Sequence, residues 1–99
     1  MAAREQIRVI IAKEGDCWIA QCLEYDIGAQ ASDPDQLRDR LVATLNAEYQ
    51  ESMKRQGKPF AGIDPAPQHF HELWNSRSKI FTATVQDDPY VDIEFALAA

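Results

Sequence analysis

The sequence predicts an α+β domain: an antiparallel three-stranded sheet packed on one long helix (β-β-β-α), with a C-terminal short helix and a β-hairpin. Three observations carry this. Residues 6 to 26 alternate apolar and polar around a glycine, residues 34 to 56 repeat at helical spacing between two caps, and residues 79 to 98 return to alternation. At 99 residues the chain is expected to form one domain, 1–99, with a β-β-β-α core over 5–56 and an extension over 57–99.

The first pair of strands is "QIRVIIAKEGDCWIAQCLEYD", with a turn at Glu14-Gly15. Glycine there supplies the positive φ that a tight turn needs. Pairing Lys13 with Asp16 sets Ile11 against Trp18, Val9 against Ala20 and Ile7 against Cys22, so one face is apolar. The other face carries Arg8, Ile10, Ile19 and Gln21 and is mixed. A three-residue loop would reverse this arrangement. "IGAQAS" (27–32) follows as a short third strand. Cys17 and Cys22 lie five apart, so on one strand they point to opposite faces and do not bridge. Both read as buried free thiols.

The helix is bounded at both ends. Asp33 is placed to cap its N-terminus, Pro34 suits the first helical position, and Gln36 stands where a capping-box partner belongs. Leu37, Leu41, Leu45, Tyr49 and Met53 form the apolar stripe, widened by Val42. Lys54 and Arg55 suit the last turn, and Gly57 the position after it. Arg38, Asp39, Arg40 and Glu51 read as a solvated face. "GKPFAGIDPAPQ" (57–68), with two Gly and three Pro, reads as an irregular linker. "PQHFHELWNSR" gives a short helical turn anchored by Phe70, Leu73 and Trp74. In the final pair, Phe81, Ala83 and Val85 alternate on one side of "QDDP" and Val91, Ile93, Phe95 and Leu97 on the other.

Sixteen acidic residues against ten basic ones give a net charge of −6. That charge is wrong for neutralising phosphates, so direct binding to nucleic acid or to anionic membranes is not expected. The opening "MAAREQIRVIIAKEG" does not read as a signal peptide, and no run approaches the ~20 apolar residues of a membrane span. A cytoplasmic protein is expected.

Three places could carry chemistry. Glu24 and Asp26 beside Cys22 could serve acid–base work, or join Asp16 in holding a divalent metal as a nuclease does. The reading preferred is that both are solvated turn residues. His69 and His71 diverge by about 200° on a helix, so "HFHE" reads as a surface histidine pair rather than a zinc site. An apolar pocket lined by Trp18, Tyr49 and Trp74 would make a small-ligand domain. No catalytic, metal-binding or cofactor-binding residue is assigned, and no cofactor is expected.

The pattern of the first half resembles the HicB antitoxin family. Gly15, Trp18 and Ala20 match its hairpin, and Leu23, Glu24 and Tyr25 its acidic knuckle. Ala29 and Gln30 match its third strand, and Asp33-Pro34 with Gln36 stands where that family usually caps the helix with Thr and Glu. The resemblance covers residues 5 to 50, about half the chain. Ala31 stands where that family usually has Gly. Nothing after Gly57 resembles the DNA-binding segment of its full-length members. The resemblance implies a partial RNase H-like fold without working catalytic carboxylates. It implies a non-enzymatic partner for a small basic HicA-type mRNA interferase, and self-association as a homodimer or higher homo-oligomer. Glu24, Tyr25 and Asp26 are the residues expected to meet a protein partner.

Overall fold

A computed structural model describes residues 5–78, 82–85 and 91–98. Strands β1 (Glu5–Glu14), β2 (Cys17–Cys22) and β3 (Gly28–Ala31) precede the long helix α1 (Pro34–Gln56). Helix α2 (Gln68–Asn75) and strands β4 (Thr82–Val85) and β5 (Val91–Leu97) follow. The α+β class and the β-β-β-α order are as expected.

The sheet is larger than the sequence suggested. Its order is β3-β2-β1-β5-β4, a single mixed sheet rather than three strands and a separate hairpin. β4 does pair antiparallel with β5, placing Ala83 opposite Phe95 and Val85 opposite Ile93. However, β5 also lies parallel to β1, with Ile7 opposite Ile93 and Val9 opposite Phe95. Phe81 and the "QDDP" turn fall outside the described residues.

The reason lies in β1. Ile7 and Val9 point to one face and Ile10 to the other, and all three are fully buried. A strand apolar on both sides needs cover on both faces and a neighbour on each edge. Alternation within residues 91–97 shows that they form a strand, but pairing with a segment some eighty residues earlier leaves no local signal.

Two cores result. On one face, Ile7, Val9, Ala20, Cys22, Val91, Ile93 and Phe95 pack with Leu37, Leu41 and Leu45 of α1. Each of those leucines contributes roughly 1.5–3 kcal/mol by burial. On the opposite face, Ile10, Leu23 and Ala96 pack with Trp74, flanked by Phe70 and Leu73 of α2. Much of the mixed face of the first hairpin is therefore covered, and the three apolar anchors read in α2 all take part.

The β1–β2 register differs from expectation by two residues. Val9 pairs with Cys22, Ile11 with Ala20 and Glu14 with Cys17. The turn is Gly15-Asp16, with Gly15 at φ 63° in its first central position, as a type II′ hairpin requires. A shift of two preserves which face each side chain takes, so the apolar face is the expected one and only the cross-strand partners differ.

Asp33 and Gly57 cap the two ends of α1 as expected. The Asp33 carboxylate accepts from the N–H groups of Asp35 (2.7 Å) and Gln36 (3.3 Å). Gly57, at φ 69°, donates to the Met53 carbonyl. The apolar stripe holds through Leu45, is half-exposed at Tyr49 and is lost at Met53, which is 40% exposed. Steps of four residues drift about 40° each around a helix of 3.6 residues per turn. Seven residues after Leu45, Ser52 takes the inward position instead and is fully buried.

Ser52 organises the segment read as a linker. Its hydroxyl donates to the Glu48 carbonyl (2.7 Å) and accepts from the Phe60 N–H (2.8 Å). Phe60 is buried, with φ of 56°, a left-handed conformation rare for a residue with a side chain. Its ring stacks on Tyr25 at 4.6 Å and meets Tyr49 edge-on at 5.8 Å. Packing of this quality can hold a backbone strained by about 1–3 kcal/mol. Residues 57–67 are thus a strap fixed over one end of the sheet. Replacing Ser52 with Ala removes the acceptor for a buried N–H, and urea unfolding should show a loss of about 1–3 kcal/mol. Substitution of the exposed Ser32 by Ala should change stability by less than ~0.5 kcal/mol.

Candidate functional site

The knuckle from Leu23 to Asp26 is where the sequence placed a partner contact, and the structure shows what holds it. Leu23 N–H donates to the Arg8 carbonyl, continuing the β1–β2 ladder by one bond (2.9 Å). The return bond is made differently. The Leu23 carbonyl turns away to accept from Ala66 N–H (3.1 Å), and the Glu24 carboxylate replaces it as acceptor for Arg8 N–H (2.7 Å). The other carboxylate oxygen accepts from Arg8 Nε at 2.6 Å. Glu24 therefore closes the ladder and pairs with a guanidinium at once. It is not the solvated turn residue that the sequence suggested.

The contact extends to α2. The Arg8 guanidinium lies 5.7 Å from the centre of the Trp74 ring, and that of Arg77 lies 4.6 Å from it. Arg77 also donates to the Trp74 carbonyl (3.0 Å). Cations over an aromatic face are attracted by its quadrupole, so one chain of contacts runs Glu24–Arg8–Trp74–Arg77.

Tyr25 is half-buried on Phe60, and its hydroxyl donates to Glu5 (3.2 Å). Burial raises its pKa, and the negative charges of Glu5 and Glu24 add to the shift. Asp26 is exposed. Its N–H donates to the Asp64 carbonyl (2.6 Å), and its carboxylate accepts from Gln21 (3.0 Å). Glu24 and Tyr25 thus have structural work within the chain, and Asp26 is the most open of the three.

The arrangement bears on both alternatives. Asp16 sits in the hairpin turn, whereas Glu24 and Asp26 lie beyond the far end of β2, whose six residues span about 20 Å. The three carboxylates cannot share one metal ion. Among the described residues, no group of three or more His, Cys, Asp or Glu side chains is placed to hold a metal. On α2, His69 is exposed and lies against Phe70, while His71 is partly buried. Trp18 and Tyr49 border the α1 core, but Trp74 belongs to the core on the other face. The sheet separates them, so they line no common pocket.

The cysteines also part company. Cys22 is buried and Cys17 exposed, both with free thiols. Burial, and secondarily the charge of Glu24, pushes the Cys22 thiol up to about 12. Sequence reasoning missed Arg8, Ser52 and Phe60. The heptad spacing of Ser52 from Leu45 could have signalled its burial, as could the lone aromatic in a Pro/Gly segment for Phe60.

No protein-family model, curated protein or solved structure matches this chain. Among the described residues, no helix is long and apolar enough to cross a membrane.

Two expectations follow. Glu24→Ala removes both the ladder acceptor and the ion pair and should cost roughly 1–2 kcal/mol in urea unfolding, the pair itself being partly solvated. Glu24→Gln keeps an acceptor and should cost about half as much, with a penalty that shrinks in high salt. Secondly, a disulfide-exchange reagent at pH 8 should modify Cys17 rapidly in the folded chain and Cys22 only after denaturation. Because the Cys22 pKa rises from 9.0 unfolded to about 12 folded, its contribution to stability is complete below pH 9 and is lost as pH climbs towards 12.

Proposed function

We propose that this chain is a non-enzymatic, HicB-like protein-binding domain of antitoxin type. In this reading it masks a small basic HicA-type mRNA interferase. The observation that carries the reading is the knuckle itself. Leu23, Glu24 and Tyr25, the residues of the resemblance, join the second and third strands of a β-β-β-α unit. There the Glu24 carboxylate is committed to Arg8 rather than turned towards a metal or a substrate.

The charge supports the same reading. A net −6 favours a basic protein partner by electrostatic complementarity, which speeds encounter and rejects partners of the wrong sign. The exposed Asp26 lies at the end of the sheet beside Asp64, where such a partner would meet negative charge. Metal-dependent nuclease chemistry through Asp16, Glu24 and Asp26 has no geometric support, because β2 holds those carboxylates apart. Self-association is a further part of the proposal and concerns surfaces away from the two cores.

The test is co-purification with a HicA-type toxin encoded beside this chain, together with an RNA-cleavage assay. A stoichiometric complex that suppresses cleavage and weakens with added salt is expected. Failure to bind that toxin, or RNA cleavage by the chain alone that is lost in Glu24→Gln, would overturn the reading.

A further inference from the structure

Strand β3 forms one edge of the sheet. Edges are usually guarded by lysine, proline or a bulge, because their unpaired amide groups recruit other strands. β3 reads Gly28-Ala29-Gln30-Ala31, with neither charge nor proline.

Its hydrogen bonds fix which way those amides point. Arg40 Nη1 donates to the Gln30 carbonyl at 2.9 Å, so this carbonyl faces away from β2. In an antiparallel ladder a residue's N–H and C=O point the same way, and the direction alternates along the strand. Gly28 and Gln30, both exposed, therefore turn their amide groups outward. The bond from Cys22 N–H to the Ile27 carbonyl fits the same alternation. With the Gln30 carbonyl held by Arg40, the Gly28 N–H and C=O and the Gln30 N–H are the groups a sixth strand would meet.

Beside this edge, on the α2 face, lies an open cleft of about 370 Å³. Ile19 and Gly28 help to floor it and Phe70 of α2 forms a wall. A side chain at Gly28 would press on the Ala20 carbonyl, whereas the Gln21 amide can swing aside. A Cβ there would come within 2.8 Å of the Gln21 amide oxygen and 3.1 Å of the Ala20 carbonyl.

We propose that this edge takes up an extended, basic segment of a partner protein as a sixth strand, with an apolar side chain of that segment seated against Ile19 and Phe70. This rests on the reading of the chain as a binder of a basic protein, and it assigns the surface. Main-chain pairing would give affinity, and the cleft would select every second side chain. Arg40 puts one positive charge on this edge, but three carboxylates flank it, so charge favours a basic partner over a second copy. Asp26 lies just before β3, and Asp33 and Asp35 just after it. An antiparallel β3–β3 pair would set the Asp26 end of each copy against the Asp33 end of the other, twice over. Like charges in such positions oppose pairing, whereas lysines at the ends of an incoming strand would be drawn to both.

The probe is a capped heptapeptide alternating lysine with valine or leucine, titrated into the ¹⁵N-labelled full chain. Amide shifts should concentrate at Gly28, Gln30, Ile19 and Phe70. A peptide N-methylated on the pairing edge, and one with glutamate for lysine, should each bind at least tenfold more weakly. Gln30→Pro removes the outward N–H along with the glutamine side chain, touches no backbone bond to β2, and should weaken the lysine peptide equally. Equal binding of the N-methylated peptide, shifts away from β3, or no binding at millimolar concentration would overturn the proposal. So would a dimer of the free chain that Gln30→Pro dissociates. The toxin complex separates the two readings. A complex formed undiminished by Gln30→Pro refutes the edge and leaves the antitoxin reading standing. No complex with the unaltered chain refutes the antitoxin reading, and the peptide titration then decides the edge alone.

Discussion

The structure depends on one constraint: strand β1 is apolar on both faces. Ile7 and Val9 must be covered from one side and Ile10 from the other. One helix cannot do both. α1 covers one face with Leu37, Leu41 and Leu45, and α2 brings Trp74 to the other. The edge of β1 not taken by β2 is filled by β5. What looked like a small core with an appendage is a central strand with an element on every side. The segments after Gly57 are needed to complete it.

The polar groups follow from the same constraint. Where β2 leaves the ladder, Arg8 would lose an acceptor next to a buried strand, and an unpaired N–H there is costly. Glu24 supplies that acceptor, and its charge then holds the Arg8 guanidinium near Trp74. At the other end of the strap, Ser52 does the same for the Phe60 N–H, which frees the ring to pack between Tyr25 and Tyr49. Both residues are polar groups placed where backbone pairing runs out. Their arrangement leaves the knuckle firmly built, and it leaves Asp26 and the β3 edge as open features near it.

Local signals were legible where one element could be judged by itself. Asp33, Pro34 and Gly57 marked α1 to the residue, because capping is a short-range matter of donors, acceptors and φ. The apolar face of the first hairpin was also legible, since strand parity depends only on period. The register was not. Glu14-Gly15 and Gly15-Asp16 are both acceptable turns, and moving the turn by one residue shifts the pairing by two, which parity cannot distinguish. Met53 was misplaced for a similar reason, as a four-residue repeat drifts around the helix.

By itself the sequence determined the elements, the helix caps, the apolar face of the first hairpin and an acidic composition. These follow from propensity, periodicity and charge, which act over a few residues or over the whole composition. Only the tertiary structure decided that β5 lies parallel to β1, that Trp18 and Trp74 lie on opposite sides of the sheet, and that Glu24 serves Arg8. It also decided that Gly28 and Gln30 turn their amides outward. Each of these depends on how strands and helices pair across the fold, where burial and hydrogen-bond satisfaction are met for the whole chain at once.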